Sequence, residues 1–297
     1  MQISILIPLY NHKSFIGELL DSIEHIGIDN FEVLILDDGS IDGSFEEVQR
    51  IKSKHKYNLE LFRQENCGLV KSMNILADMS KNDILCFMAS DDIYYPNSFA
   101  DRLQEFEDDT LVVSYGNGIR YRSGIELGYV HNGELESSLI SGNASKVYEF
   151  LTTNVPAFYL QSMMIRRKFF YQIGKFDEKL ILDDWAFNIK VFKCLTNSPY
   201  KYKYTNDPFF MYRVHSTNTS KNRVKQFSKI DQVIQNLIPT EKIGCFYEQT
   251  YAGSFIYFLL TARWKLALYI LQNKGISFYV KVFIYSIKRI LRFLKLI

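Results

Sequence analysis

Short apolar runs, each closed by a polar turn, alternate with stretches of helical spacing through the first hundred positions. Ile3–Leu9 is a continuous apolar run rich in β-branched residues, the pattern of a strand buried on both faces. After the polar turn Asn11-His12-Lys13, the residues Phe15, Ile16, Leu19, Leu20 and Ile23 recur at helical spacing, with Ser14 placed to cap. Residues 31–36 predict a second buried strand that ends abruptly in Asp37-Asp38-Gly39-Ser40. A polar helical stretch from 44 to about 54 leads to a short strand at 59–62. Asn66-Cys67-Gly68 predicts a turn, 70–79 a helix, and 84–88 a strand that ends in Ala89-Ser90-Asp91-Asp92. The β-α-β-α-β order implies a parallel sheet with right-handed crossovers, whose ligands bind beyond the carboxyl ends of the strands. Both acidic pairs lie there.

The pattern is looser downstream. Residues 111–115 predict a strand, while 116–143, rich in Gly, Ser and polar residues, reads as loops or hairpins. Residues 148–160 show no clear period around Pro156; 161–165 reads as a strand and 183–194 as a helix opening on two acids. From about Gly253 the character changes to two strongly apolar segments, 254–271 and 276–297, each broken by Lys or Arg. In the second, Phe283, Ile287, Ile290, Leu294 and Ile297 share one helical face and Lys281, Lys288, Arg292 and Lys295 another. That arrangement suits a helix lying on an anionic membrane surface. Neither segment offers the uninterrupted stretch of about 20 apolar residues that spanning needs. The alternative is a helical hairpin packed on the rest of the chain or on a second subunit, which leaves a homo-oligomer open.

Composition narrows the class. The 297 residues are 47% hydrophobic and 23% charged, a globular balance, with aromatics at 15%. A formal net charge of +2 is too small to argue for a nucleic-acid partner. Its distribution is uneven, because no acidic residue follows Glu248. Cys67, Cys86, Cys194 and Cys245 form no CxxC pair and read as free thiols. The opening apolar run is too short for a signal peptide and lacks a basic flank, so a cytoplasmic protein is the expectation.

The chemistry sits in the acids. Adjacent carboxylates repel, so each pair needs solvent, hydrogen bonds or a cation. Either pair alone is equally well read as a turn, since Asp, Gly and Ser favour turns. Two pairs at successive strand ends are harder to dismiss: one can face a nucleoside while the other holds a divalent ion on a diphosphate. The segments Ile5-Leu6-Ile7-Pro8-Leu9-Tyr10-Asn11, Asp37-Asp38-Gly39-Ser40-Ile41-Asp42-Gly43 and Ser90-Asp91-Asp92 together resemble the glycosyltransferase family 2 pattern, as do Gln64–Leu69 and Asn74 between them. The resemblance covers about residues 1 to 220.

It implies a GT-A fold: an α/β, Rossmann-like, mostly parallel central sheet flanked by helices. Residues 1–220 are expected to form that domain, with 1–115 binding nucleotide and 116–220 on the acceptor side. A helical, basic and apolar C-terminal extension would occupy 221–297. The resemblance further implies an inverting transfer of a sugar from a nucleotide-diphosphate donor, with Mn²⁺ or Mg²⁺ as cofactor and UDP the family's commonest carrier. Pro8, Tyr10 and Asp38 become contacts to base and ribose, Asp91 a supporting residue on the nucleotide side, and Asp92 the metal ligand. Met73 stands where many members carry Arg, with Lys71 nearby.

Asp183-Asp184-Trp185 resembles the family's later acidic motif and makes Asp184 the catalytic base, Asp183 the alternative and Trp185 part of the acceptor wall. Tyr212-Arg213-Val214-His215 opens a segment similar to the family's Tyr-Arg-x-His, giving His215 to the metal or diphosphate and Arg213 to phosphate charge. Gln161-Ser162 falls where acceptor-side contacts are plausible. A glycan acceptor, lipid-linked and met at the inner face of the cell membrane, would account for the C-terminus; surface-polysaccharide synthesis is the expected setting. Nucleotidyl transfer would want a Gly-rich phosphate loop near the N-terminus, and a dinucleotide dehydrogenase GxGxxG after the first strand; Pro8-Leu9-Tyr10-Asn11 fits neither. A catalytically silent membrane scaffold would have lost one of the three acidic motifs, and all three are present.

Overall fold

A computed structural model describes residues 1–180, 183–215 and 223–243. The chain forms two compact units, 1–148 with 156–221 and 149–155 with 222–297. The first carries the α/β fold. Its opening half runs β1 (Ile3–Leu9), α1 (Lys13–Ile23), β2 (Phe31–Asp37), α2 (Ser44–Ile51), β3 (Asn58–Arg63), α3 (Leu69–Met79) and β4 (Ile84–Phe87). These are the elements the apolar pattern predicts. One detail differs: α1 starts at Lys13 with His12 at its cap position, so Ser14 lies inside the helix. Every residue of β1 is buried, and β2 and β4 flank it in parallel register, Ile5 opposite Val33 on one side and Cys86 on the other. The one polar residue within β1, Ser4, donates to Glu32 Oε1 at 2.6 Å, and Glu32 accepts the Lys81 N–H at 2.8 Å. Paired in this way, the two side chains offset much of the cost of burying polar groups.

The second half is β5 (Ile93–Tyr94), α4 (Ala100–Gln104), β6 (Leu111–Arg122), β7 (Ile125–Tyr129), α5 (Gly133–Ile140), α6 (Ala144–Leu151), β8 (Met163–Arg166), α7 (Arg167–Gln172), α8 (Asp183–Leu195) and β9 (Lys201–Arg213). The strand order is β3-β2-β1-β4-β8-β6-β9-β5, with β7 on β6. β8 runs antiparallel to both β4 and β6, while β6 and β9 are parallel. Two strands exceed the sequence expectation. β6 continues seven residues past Tyr115 into a hairpin with β7. β9 is thirteen residues long, yet Pro208 within it argues against a strand from sequence. The register between β6 and β9 shifts beside that proline, which accommodates it. Gly116 makes the approach possible, since a Cβ there would lie 2.7 Å from Phe209 Cβ.

A buried cation ties this half together. The Arg102 guanidinium donates to Ser114 O (2.6 Å) and Ser162 O (3.0 Å) and lies 3.7 Å from the centre of the Phe209 ring. Burial pulls its pKa down to about 10, so it stays charged at neutral pH. β6, the turn before β8, and β9 are thereby fixed to one point. In the second unit, α9 (Arg223–Leu237) buries Val233 and Ile234, and Lys242 Nζ reaches Glu149 and Thr152. The two apolar C-terminal segments expected on a membrane lie outside the described residues.

His131 is fully buried, edge-on to Phe158 at 5.2 Å, and neither ring nitrogen has a hydrogen-bond partner among the described residues. Burial, with a smaller contribution from Arg120, depresses its pKa to about 3. Between that value and the unfolded value near 6.5 the unfolded chain binds the extra proton, so stability rises with pH across this window. Lowering the pH from 6.5 to 5 should cost up to about 2 kcal/mol through this one group. A His131→Phe variant should lose that part of the pH dependence in thermal melts; parallel wild-type and variant curves would refute it.

Candidate active site

The carboxyl ends of β1 and β2 are laced together by backbone-to-side-chain hydrogen bonds. Asn11, with φ 54, turns the chain; its N–H donates to Ser40 Oγ at 2.9 Å, and its Oδ1 accepts the Ile41 N–H at 2.9 Å. His12 N–H donates to Ser44 Oγ (2.9 Å) and Lys13 N–H to Asp42 Oδ2 (3.0 Å). Gly39, with φ 75, lets the 64–68 loop close in, because a Cβ there would meet Asn66 N at 3.0 Å. That loop wraps Asp38. Its Oδ1 accepts from Gln64 Nε2 (2.9 Å) and Cys67 N–H (2.8 Å), and its Oδ2 from Gly68 N–H (2.9 Å). Burial would raise the Asp38 pKa, but these donors together outweigh it and hold the carboxylate below its ordinary range. Asp37 is fully buried and bridged to Arg63 Nε at 3.2 Å, a supporting position. Tyr10 is 47% exposed beside this web, whereas Pro8 is buried in β1.

The second acidic pair divides sharply. Asp92 is 1% exposed, and both its oxygens are taken: Oδ2 by Gln161 Nε2 at 2.6 Å and Oδ1 by Arg213 N–H at 2.8 Å. Burial, then the neighbouring Asp91 charge, push its pKa well above the carboxylate range. Asp91 keeps part of its carboxylate exposed, and its Oδ2 lies 2.9 Å from His215 Nε2 and 3.8 Å from His12 Nε2. His12 is anchored through Nδ1 to Ser90 Oγ at 2.8 Å. Burial lowers its pKa against the pull of Asp91, which keeps the imidazole neutral at pH 7. Phe15 packs against the His215 ring at 4.5 Å. The sequence expectation joined His215 to Asp92; the structure joins it to Asp91.

Arg213 is engaged too. Its Nε donates to Asp91 O (2.9 Å) and its guanidinium to Glu18 (2.6 Å), so it locks β9 to the acidic turn and to α1. The residues that follow His215 in the motif, 216–220, lie outside the described ones.

Asp184 stands in the first turn of α8, half-buried, where the helix N-terminus favours its charge. Asn188, fully buried one turn later, fixes the local backbone. Its Nδ2 donates to Asp184 O (2.9 Å) and Phe158 O (3.0 Å), while its Oδ1 accepts from Tyr115 OH (2.7 Å). Trp185, expected on an acceptor wall, is only 2% exposed; the helix turns it into the core. Asp183 opens α8, and its side chain lies outside those described. Met73 is buried, and Lys71 is exposed.

His12, Gln161 and Asn188 are the partners that sequence reasoning undervalued. Each acts through a hydrogen bond spanning dozens of residues or a helical turn inside the core, which no local motif announces. Among the described residues no cluster of three His, Cys, Asp or Glu could hold a metal ion alone. Asp91 and His215 nevertheless present one carboxylate and one imidazole side by side. Such a donor set suits Mn²⁺ or Mg²⁺ that takes its remaining ligands from a diphosphate and water.

Residues 4–174, more than half of the chain, match the profile of glycosyl transferase family 2. An uncharacterized glycosyltransferase of Haemophilus influenzae is 26% identical over 80% of this chain and 78% of its own length. Another, from Rickettsia felis, is 25% identical over 60% of this chain and 29% of its own length, so this chain spans less than a third of that relative. Among solved structures, Staphylococcus aureus TarS 1–349 in complex with UDP-GlcNAc superposes with a TM-score of 0.61 at 18% identity, over 86% of this chain and 73% of that one. The Pyrobaculum calidifontis mannosyltransferase PcManGT, in complex with GDP-Man and Mn²⁺, gives 0.58 at 16% identity, over 97% and 86%. The mostly parallel sheet flanked by helices is thus the GT-A fold, and the chain belongs to glycosyltransferase family 2.

Proposed function

We propose that this protein transfers a sugar from a UDP-sugar to a hydroxyl of a glycan acceptor, with inversion at the anomeric carbon. The observation that carries this reading is the partition of the four strand-end acids. Asp38 is held ionised by the 64–68 loop, Asp92 is buried as a tie, and Asp91 is left beside His215 at the open end of the sheet. UDP is favoured as the carrier because TarS, a neighbour in fold, is solved in complex with both UDP and UDP-GlcNAc.

Asp38, Tyr10 and the 64–68 loop take the nucleoside, with Pro8 shaping the strand beneath. Asp91 and His215 would hold Mn²⁺ or Mg²⁺, which when bound neutralises charge on the diphosphate leaving group. This assignment departs from the sequence expectation for Asp92, whose two oxygens are already committed within the core. Asp184 serves as base: it accepts the proton of the attacking hydroxyl as that oxygen approaches C1 from the side opposite the diphosphate. Asp183, on the same helix turn, is its alternative.

A lipid-linked acceptor in polysaccharide assembly, met at the inner face of the cell membrane, accounts for the basic, apolar segment 276–297. Of the described residues, no helix is long and apolar enough to cross a membrane.

Three outcomes follow. By titration calorimetry, Asp91→Ala should weaken Mn²⁺-dependent UDP binding at least about tenfold, roughly 1.4 kcal/mol. Undiminished affinity would remove Asp91 from the metal site. Asp184→Asn should lower kcat by about two to four orders of magnitude while leaving UDP affinity nearly intact. Substantial residual transfer would point to another base. Removing residues 276–297 should release the protein from anionic liposomes in a flotation assay, and continued binding would discredit the membrane contact.

A further inference from the structure

The aromatic surface near Asp184 comes not from Trp185 but from two tyrosines distant in sequence. Tyr159 precedes the turn before β8, and Tyr212 lies near the end of β9. Their rings stack almost parallel, with centroids 4.8 Å apart and planes at 13°. The stack is placed by the Asp92 tie: Gln161, two residues after Tyr159, and Arg213, the residue after Tyr212, bind the two oxygens of that carboxylate. The pair therefore sits against the acidic turn that carries Asp91. Tyr159 also feels the Asp184 charge, which adds to burial and to Tyr212 in raising its hydroxyl pKa. Both side chains are partly buried against the core, and each keeps some exposed surface.

We propose that the Tyr159–Tyr212 stack forms the acceptor subsite, its outward ring face receiving the C–H face of a pyranose and setting its hydroxyl toward Asp184. The assignment rests on the glycosyl-transfer reading above and deepens it. A pyranose offers axial C–H groups on one face and hydroxyls around its rim, which matches aromatic carbon framed by carboxylates. A nucleobase is the poorer occupant, because Asp38 and the 64–68 loop lie farther along the sheet, at the ends of β2 and β3. An alkyl chain is poorer still beside Asp91, Asp92 and Asp184. Because the rings already hold each other, little side-chain freedom is lost when a sugar binds.

Saturation-transfer NMR with UDP and Mn²⁺ present tests the platform. The probes are methyl β-glucopyranoside, methyl β-galactopyranoside, methyl α-mannopyranoside and methyl N-acetyl-β-glucosaminide. At least one should receive saturation through its ring C–H protons. Tyr159→Leu and Tyr212→Leu should reduce that signal about fivefold or more, while Tyr159→Phe and Tyr212→Phe retain it. No saturation of any glycoside by the wild type, or signal retained in both Leu variants, overturns the proposal. A UDP titration of each protein separates the causes. If the Leu variants lose UDP affinity in step with the sugar signal, the rings serve packing and the platform is refuted. If the wild type fails to bind UDP with Mn²⁺, the donor reading falls and the platform with it. If it binds UDP while the glycosides ignore the tyrosines, the platform alone falls.

Discussion

One buried carboxylate organises the end of the sheet that carries Asp91 and His215. Asp92 is removed from water and accepts from Gln161 on one oxygen and from the Arg213 backbone on the other. Leaving a buried carboxylate short of partners costs several kcal/mol, so the 159–161 turn and the end of β9 are both obliged to stay. Those segments bring Tyr159, Tyr212 and His215 to the acidic turn. Arg213 repeats the constraint through Asp91 O and Glu18, which also draws α1 in. The acid that reads as a ligand in the sequence is thus the post on which Tyr159, Tyr212 and His215 are hung.

The carboxyl ends of β2 and β3 follow a different rule. There the work falls to backbone N–H groups of the 64–68 loop, which surround Asp38 and keep it ionised in spite of burial. Ionisation of Asp38 and burial of Asp92 are two answers to one difficulty, that adjacent carboxylates repel. One pair is solved by hydrogen bonds from a loop; the other by sinking one member and leaving its neighbour to a histidine.

Much of the fold is legible in the sequence because its first half is local. β1, β2 and β4 are dominated by apolar residues, and α1 and α3 follow the period of their buried positions, so pattern and burial largely agree. The second half is less legible. β9 contains Pro208 and alternates exposed with half-buried residues, and its pairing with β6 depends on Gly116 meeting Phe209, a contact nearly a hundred residues long in sequence. The motifs mark Asp38, Asp91, Asp92, Asp184 and His215, but they do not show that Asp92 is tied within the core while Asp91 faces His215. That arrangement depends on Gln161 reaching across 69 residues to fill one oxygen. Likewise Trp185 reads as a substrate-facing ring until the orientation of α8 sends it inward.

The division of labour between the adjacent acids is the centre of this account, and anomalous scattering from a crystal grown with UDP and Mn²⁺ tests it most directly. The account predicts an Mn²⁺ peak coordinated by Asp91 and His215, with Asp92 still bonded to Gln161 and the Arg213 backbone. A peak coordinated by Asp92, with Gln161 displaced, would contradict it.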